Sequence, residues 1–245
     1  VSCDNTDAGL TDASFVDGRN TFYLKATDGA GNSSEQSVSF VIDTDNTLTV
    51  GSSSKDFATI QEAVTKATAG DAISISAGAY VEDVTIGKAL TLTGTGNPTA
   101  TSFTLDSGAV LTGSIGITAS TVNVNNGAKI QDGVLLASSA GTVNVGAGTY
   151  TENVNVNKSL TLIGAGSSAV TVTAASPTNS VFTIDANNVE ISGFTSTGTQ
   201  MSGNQGYAGI RLNSGVTNTN VHDNIVSNNQ YGILMLGTLG DTTLG

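Results

Sequence analysis

The sequence predicts an all-β fold: a right-handed single-stranded parallel β-helix with a short N-terminal capping helix. The first observation is an internal repeat at an offset of 70 residues, in which "ISISAGAYVEDVTIGKALTLTGTG" recurs as "VNVGAGTYTENVNVNKSLTLIGAG". Such copies are typical of solenoids, whose units stack on one continuous core. The second is composition: 30 of 245 residues are Gly, 5% are aromatic and none is Trp. Its apolar runs are rich in Val, Ile, Leu and Thr, which suit pleated surfaces.

Residues 12–43 predict a β-hairpin. Two alternating runs, 20–27 and 37–42, flank the turn "DGAGNSS", and their alternation places six apolar residues on one face: Phe22, Leu24, Ala26, Val38, Phe40 and Ile42. The segment "DGRNTFYLKATDGAGN" resembles the end of bacterial immunoglobulin-like domains. That resemblance implies that residues 1–46 are a partial immunoglobulin-like β-sandwich segment with a linker, whose other strands lie upstream or come from another molecule.

The linker at 43–54 is followed by a predicted helix at about 59–69. Thr59 is the expected N-cap, with Glu62 three residues later and Gly70 as terminator. We expect this helix to cover the N-terminal end of the solenoid, where an open strand edge would otherwise be exposed. The linker also holds Asp43, Asp45 and Asn46, whose oxygen atoms are candidate calcium ligands. An ordinary interdomain turn is the other reading of the same residues.

From residue 72 onward, short alternating apolar pairs are separated by Gly and Asn turns. Stacked in parallel, each pair would point into a shared interior, which predicts a β-helix over 47–245. Within it we expect two repeats, at 60–129 and 130–199, followed by Asn-rich coils at 200–245. The side-chain amides of those coils are expected to form a ladder along the stack. The coils resemble the right-handed parallel β-helix repeat family, NosD-like proteins included. Residues 57–166 resemble the start of pectate lyase-like and pectin methylesterase-like chains through "TIQEAV", "GAYVEDV" and "LTLTGTG".

Catalytic motifs are sparse in this repeat. The "IQDG" at 130–133 looks like part of an esterase motif but lies 70 residues after Ile60, Gln61 and Glu62, so we interpret it as a degenerate copy of the helix. Gly133 replaces Ala63 and no Thr cap precedes the copy, so a second helix at 130–138 stays open. Glu82 and Glu152 are interpreted as turn carboxylates, paired with Lys88 and Lys158.

Charge and composition limit the classes of partner that we expect for this protein. A formal net charge of -12 with eight scattered Lys and Arg residues argues against nucleic acid, and no apolar run is long enough to predict a membrane span. Cys3 is the only cysteine, which excludes an internal disulfide. We expect no required cofactor, with calcium as the candidate ion. The sequons at Asn32 and Asn157 are candidate glycosylation sites.

These observations favour a non-catalytic structural or adhesive protein, extracellular or on the cell surface, which self-associates or contacts neighbouring surface-protein subunits through open β ends. The alternative is a polysaccharide-active or polysaccharide-binding β-helix of lyase or hydrolase type. That alternative needs aromatic and charged residues at coil spacing. The nearest approximation in the sequence is Tyr207, Arg211, His222, Asp223 and Tyr231.

Overall fold

A computed structural model describes residues 18–42, 47–52, 55–200, 206–237 and 242–245. It is a parallel β-solenoid of about eight turns, so the predicted all-β solenoid is confirmed. The candidate calcium ligands Asp43, Asp45 and Asn46, and also Cys3, lie outside the described residues.

The described part of the chain starts with an antiparallel hairpin of β1 (Gly18–Thr27) and β2 (Ser33–Ile42). The remaining elements follow in chain order: β3 (Thr47–Val50), α1 (Ile60–Lys66), β4 (Ala72–Ile75), β5 (Ala79–Ile86), β6 (Ala89–Gly94), β7 (Thr99–Leu105), β8 (Val110–Thr112), β9 (Thr118–Val124), α2 (Ile130–Leu136), β10 (Ala137–Val145), β11 (Gly148–Thr151), β12 (Val154–Val156), β13 (Leu160–Gly164), β14 (Val170–Thr173), β15 (Phe182–Ile184), β16 (Val189–Ser192), β17 (Thr195–Thr197), β18 (Ala208–Leu212), β19 (Asn220–His222), β20 (Ile225–Val226), β21 (Tyr231–Met235) and β22 (Thr243–Leu244).

One long sheet runs the length of the solenoid, with strands β5, β7, β9, β10, β13, β16, β19 and β22 paired in parallel. In the first turns it is accompanied by the sheet β3-β4-β6-β8. In the later turns two sheets replace that one, β11-β14-β17-β20 and β12-β15-β18-β21. Helix α2 falls between these halves, so the cross-section changes from two sheets to three at the start of the second repeat.

The interior is built from the alternating apolar pairs that the sequence singled out. Because strand register aligns equivalent residues, each pair stacks on the pair of the next turn. One such column runs through the long sheet and all its members are buried: Val84, Phe103, Val122, Val143, Leu162, Ile191 and Val221. Asn218 Nδ2 donates to Asn188 Oδ1 of the preceding turn at 2.6 Å, which is one bond and reaches outside 200–245, so the amide ladder within those coils stays a prediction.

Helix α1 begins where Thr59 accepts a hydrogen bond from the Glu62 amide at 3.2 Å, as predicted. It ends at Lys66, three residues earlier than expected, because Ala67 is already extended at ψ 146°. The chain then turns through Thr68, whose amide donates to Asp71 Oδ2 at 2.7 Å.

Helix α2 answers the question that the sequence left open about 130–138. It forms without a side-chain cap, since Lys129 at the N-cap makes no such bond. The two helices occupy equivalent places in two successive repeats, and α2 lies partway along the solenoid, with strands before and after it. The specific role of α1 as an end cap is therefore not confirmed.

Candidate functional site

The charged residues that recur in the two repeats bind the ends of the helices rather than each other. Glu82 accepts the backbone amides of Ile60 and Gln61 at 2.7 and 3.0 Å. Because the first amides of a helix have no partner within it, a carboxylate from the following turn satisfies two of them and complements the positive end of the helix.

The second repeat reproduces this arrangement. Glu152 accepts the amides of Ile130 and Gln131 at 2.7 and 3.1 Å. Its side chain is buried, at 8% exposed, and burial raises its pKa, while the two helix amides partly offset that effect. The adjacent Tyr150 hydroxyl donates to the Gly146 carbonyl at 2.8 Å, and burial, reinforced by the charge of Glu152, raises the pKa of Tyr150 to about 12.

The lysines of the repeat bind the opposite ends of the same helices. Lys88 Nζ donates to the carbonyls of Val64 and Ala67 at 3.0 and 2.7 Å, and Lys158 Nζ donates to those of Leu135 and Ala137 at 3.1 and 2.9 Å. The prediction that each Glu pairs with its Lys is therefore wrong. The two charges are separated by a helix and each binds the end of opposite polarity.

The carboxylate of the "IQDG" sequence also has a structural role. Asp132 is 4% exposed and accepts the Leu111 amide at 2.9 Å. Leu111 lies on β8, the last strand of its sheet, so this carboxylate satisfies an amide at a sheet edge. Burial raises the pKa of Asp132, partly offset by that bond.

His222 is held between two carboxylates. Its Nδ1 lies 2.8 Å from Asp223 Oδ2 and its Nε2 lies 3.2 Å from Glu190 Oε1. The hydrogen bonds with Asp223 and then Glu190 raise the pKa of the imidazole. Both ring nitrogens are occupied in this arrangement, so neither is available to a ligand without breaking a bond.

The five residues predicted as a carbohydrate group do not form one site. His222 belongs to the long sheet, whereas Arg211 lies on β18 in the sheet β12-β15-β18-β21. Tyr231 pairs with Ala208 at the start of β21, two residues before Ile233. Its register partner Ala208 is buried, whereas Tyr231 itself is 39% exposed on the last turn. The five residues are therefore not one group: Tyr207 and Arg211 line one groove, and His222 is paired with Asp223 elsewhere.

Tyr207 and Arg211 line a groove of about 260 Å³ on the outside of that sheet, together with Asn155 and Thr183. We call these four residues the outer groove. Register aligns Asn155 with Thr183 and Thr183 with Arg211 on successive turns. The sequence analysis missed Asn155 and Thr183, although Asn155, Thr183 and Arg211 follow one another at intervals of 28 residues, which is a signal that could have found them.

The remaining candidate residues are placed but not assigned a ligand. Asn32 and Asn157 are both exposed, and the Asn32 amide group donates to Asp28 Oδ2 at 2.9 Å. Among the described residues, no group of three or more His, Cys, Asp or Glu side chains is arranged to hold a metal ion. In the same part of the chain, no helix is long and apolar enough to cross a bilayer.

A scan against protein-family models, a search of curated proteins and a search of solved structures each return no match for this chain. The parallel β-solenoid is established by the structure. The resemblances to pectate lyase-like, NosD-like and immunoglobulin-like chains are not confirmed.

Proposed function

We propose that this protein is a non-catalytic structural or adhesive subunit of an extracellular or cell-surface layer, sheath or filament, and that it self-associates through its N-terminal hairpin. The observation that carries the proposal is the uncovered apolar face of that hairpin. Phe22, Leu24 and Val38 share this face by register and are 39%, 54% and 65% exposed.

The hairpin needs a further partner for physical reasons. A two-stranded hairpin is marginally stable in water unless its apolar face is covered or a third strand joins it. Among the described residues, one end of the hairpin contacts the solenoid: Arg19 Nε donates to the Asp56 carbonyl at 3.3 Å and Val41 packs against the core. Strands of a second copy would cover the face and pair with the open edges.

The use of the repeat's charged groups also supports a scaffold. The side chains of Glu82, Glu152 and Asp132 accept backbone amides, and those of Lys88 and Lys158 donate to backbone carbonyls. Side chains committed to the backbone in this way stabilise a thin, rigid rod, and they leave little acid or base chemistry for a substrate.

The test compares two neighbouring substitutions on opposite faces. Val38→Glu places a charge on the apolar face, and Ser37→Glu places the same charge on the other face. We expect light scattering and electron microscopy at neutral pH to show assemblies for the natural chain and for Ser37→Glu, and monomers for Val38→Glu.

A monomeric natural chain that Val38→Glu leaves unchanged contradicts the proposal. It would indicate that another part of the same chain covers the face. Residues 1–17 are the obvious segment to delete in that case, with association after the deletion as the sign that they had covered it. Repeating the imaging with a chelator tests calcium, since loss of ordered assemblies would place a divalent cation in the contacts.

A further inference from the structure

One outer face of the solenoid is an array of threonines that is two columns wide. It lies on strands β11, β14 and β17, whose central residues Tyr150, Val172 and Ser196 are buried. Because side chains alternate along a strand, the residues on either side of each central residue point outward, and register stacks them from turn to turn. We call this set the threonine face, and its members are Thr149, Thr151, Thr171, Thr173, Thr195 and Thr197.

Most hydroxyls of the threonine face are free to bind a ligand. Thr195 Oγ1 donates to the Ser167 carbonyl at 2.6 Å, whereas the other five hydroxyls have no hydrogen-bond partner among the described residues. Thr149 and Thr151 are exposed, and the other four threonines are half-buried. None of the three strands carries a charged residue. The face therefore presents neutral hydroxyl and methyl groups in a regular order.

The polar side chains on the other sheets bond with each other instead. On the long sheet, Asn144 Nδ2 donates to Asn123 Oδ1 at 3.1 Å. On the sheet β3-β4-β6-β8, the hydroxyls of Thr91 and Thr112 lie 2.9 Å apart and share a hydrogen bond. The threonine face differs because its hydroxyls are directed to what lies outside the protein.

The threonines are spaced like the oxygen atoms at the surface of an ice crystal. Outward residues on one strand lie about 6.6 Å apart, and neighbouring strands lie about 4.8 Å apart, so the hydroxyls form a two-dimensional lattice. Water oxygens on the faces of hexagonal ice repeat at distances of the same size in two directions. A hydroxyl both donates and accepts, as water does, and the methyl group beside it restricts the water molecules around it.

We propose that the threonine face binds ice, with its hydroxyls taking the places of water molecules at the crystal surface. A protein held there blocks the addition of water to the crystal, so crystal growth is slowed. The proposal does not rest on self-association, because the face lies on the later turns of the solenoid and the hairpin precedes its first turn.

The growth of a single ice crystal in a solution of the protein tests this proposal. The measurement is the gap between the temperature at which the crystal melts and the temperature at which it starts to grow, together with the shape of the crystal. We expect the natural chain to open this gap and to produce faceted crystals. Thr171→Tyr places a bulky ring in the middle of the threonine face and should abolish both effects. Thr161→Tyr is the matched control, because it makes the same change at a half-buried outward position of the long sheet, and it should behave like the natural chain.

A second variant keeps the test decisive if Thr171→Tyr does not fold. Thr149 is exposed on the first strand of the face, so Thr149→Lys should fold, and it should remove most of the effect because it interrupts the lattice with a charge. Round crystals and no gap with the natural chain overturn the proposal, as does an unchanged gap in a folded variant of the face or an equal loss in Thr161→Tyr. Val38→Glu should still shape ice, because one copy carries the whole threonine face, so self-association and ice binding can fail independently.

Discussion

The substitution Gly133→Ala tests how tightly the second helix packs on the solenoid. An Ala in a helix is ordinarily about 1 kcal/mol more favourable than Gly. Here a Cβ at position 133 would lie 2.5 Å from Val124 Cγ2 and 3.1 Å from Val143 Cγ1. Both valines are fully buried in the long sheet, so they have little room to move.

The magnitude follows from these opposing effects. Overpacking a well-packed core costs about 1–3 kcal/mol, which exceeds the gain in helix propensity. We expect Gly133→Ala to lower the free energy of unfolding by up to about 2 kcal/mol, equivalent to up to roughly 8 °C in melting temperature for a chain of this size. Urea unfolding followed by circular dichroism measures it.

Two further variants make the test specific. Val124→Ala removes the clashing methyl groups, so the double variant Gly133→Ala/Val124→Ala should be less destabilised than the sum of the single variants, with a coupling of about 1–2 kcal/mol. Ala63→Gly, at the equivalent position of α1, should lower stability by about 2 kcal/mol through lost propensity and a lost buried methyl. An increase in stability for Gly133→Ala would refute the packing argument.

Three other predictions follow from the same structure. The hydrogen bonds of His222 with two carboxylates favour its charged form, so an NMR titration should give a pKa above 6.5, and Asp223→Asn should lower that pKa. The stabilisation is full below pH 6.5 and is lost as pH rises through the folded-state pKa. A pKa at or below 6.5 in the natural chain contradicts this prediction. Gly164→Ala should cost more than about 2 kcal/mol because its Cβ would collide with the backbone of the next turn, whereas Gly29→Ala, with nothing within 4 Å, should stay within about 0.5 kcal/mol in the same melt. Thr219→Val should raise the free energy of unfolding by about 1 kcal/mol, since the Thr219 hydroxyl is buried without a partner in the described residues. If calorimetry instead shows that the variant is destabilised by about 1 kcal/mol, the hydroxyl is hydrogen-bonded and the prediction is wrong.

The contacts of the candidate site residues could not be predicted from the sequence alone. The sequence indicated a structural role for Glu82 but not its hydrogen-bond partners. These helix amides lie 21 and 22 residues away along the chain, and no local sequence pattern identifies them. The grouping of Tyr207 with His222 failed because proximity along the chain does not identify which sheet a strand joins. Arg211 was found from its charge alone, and its neighbours Asn155 and Thr183 became visible only with the strand register.

The sequence by itself determined the solenoid, because inward-facing pairs such as Leu90 and Leu92 recur with each turn and the hydrophobic effect requires them to share an interior. It also determined the hairpin, with an alternation that settles which residues share a face. Only the tertiary structure decided what the polar residues do. The role of a carboxylate depends on the groups within about 3 Å of it, and in a solenoid those groups belong to other turns. For this reason only the structure shows that Glu152 accepts helix amides and that Asp132 accepts an amide at a sheet edge.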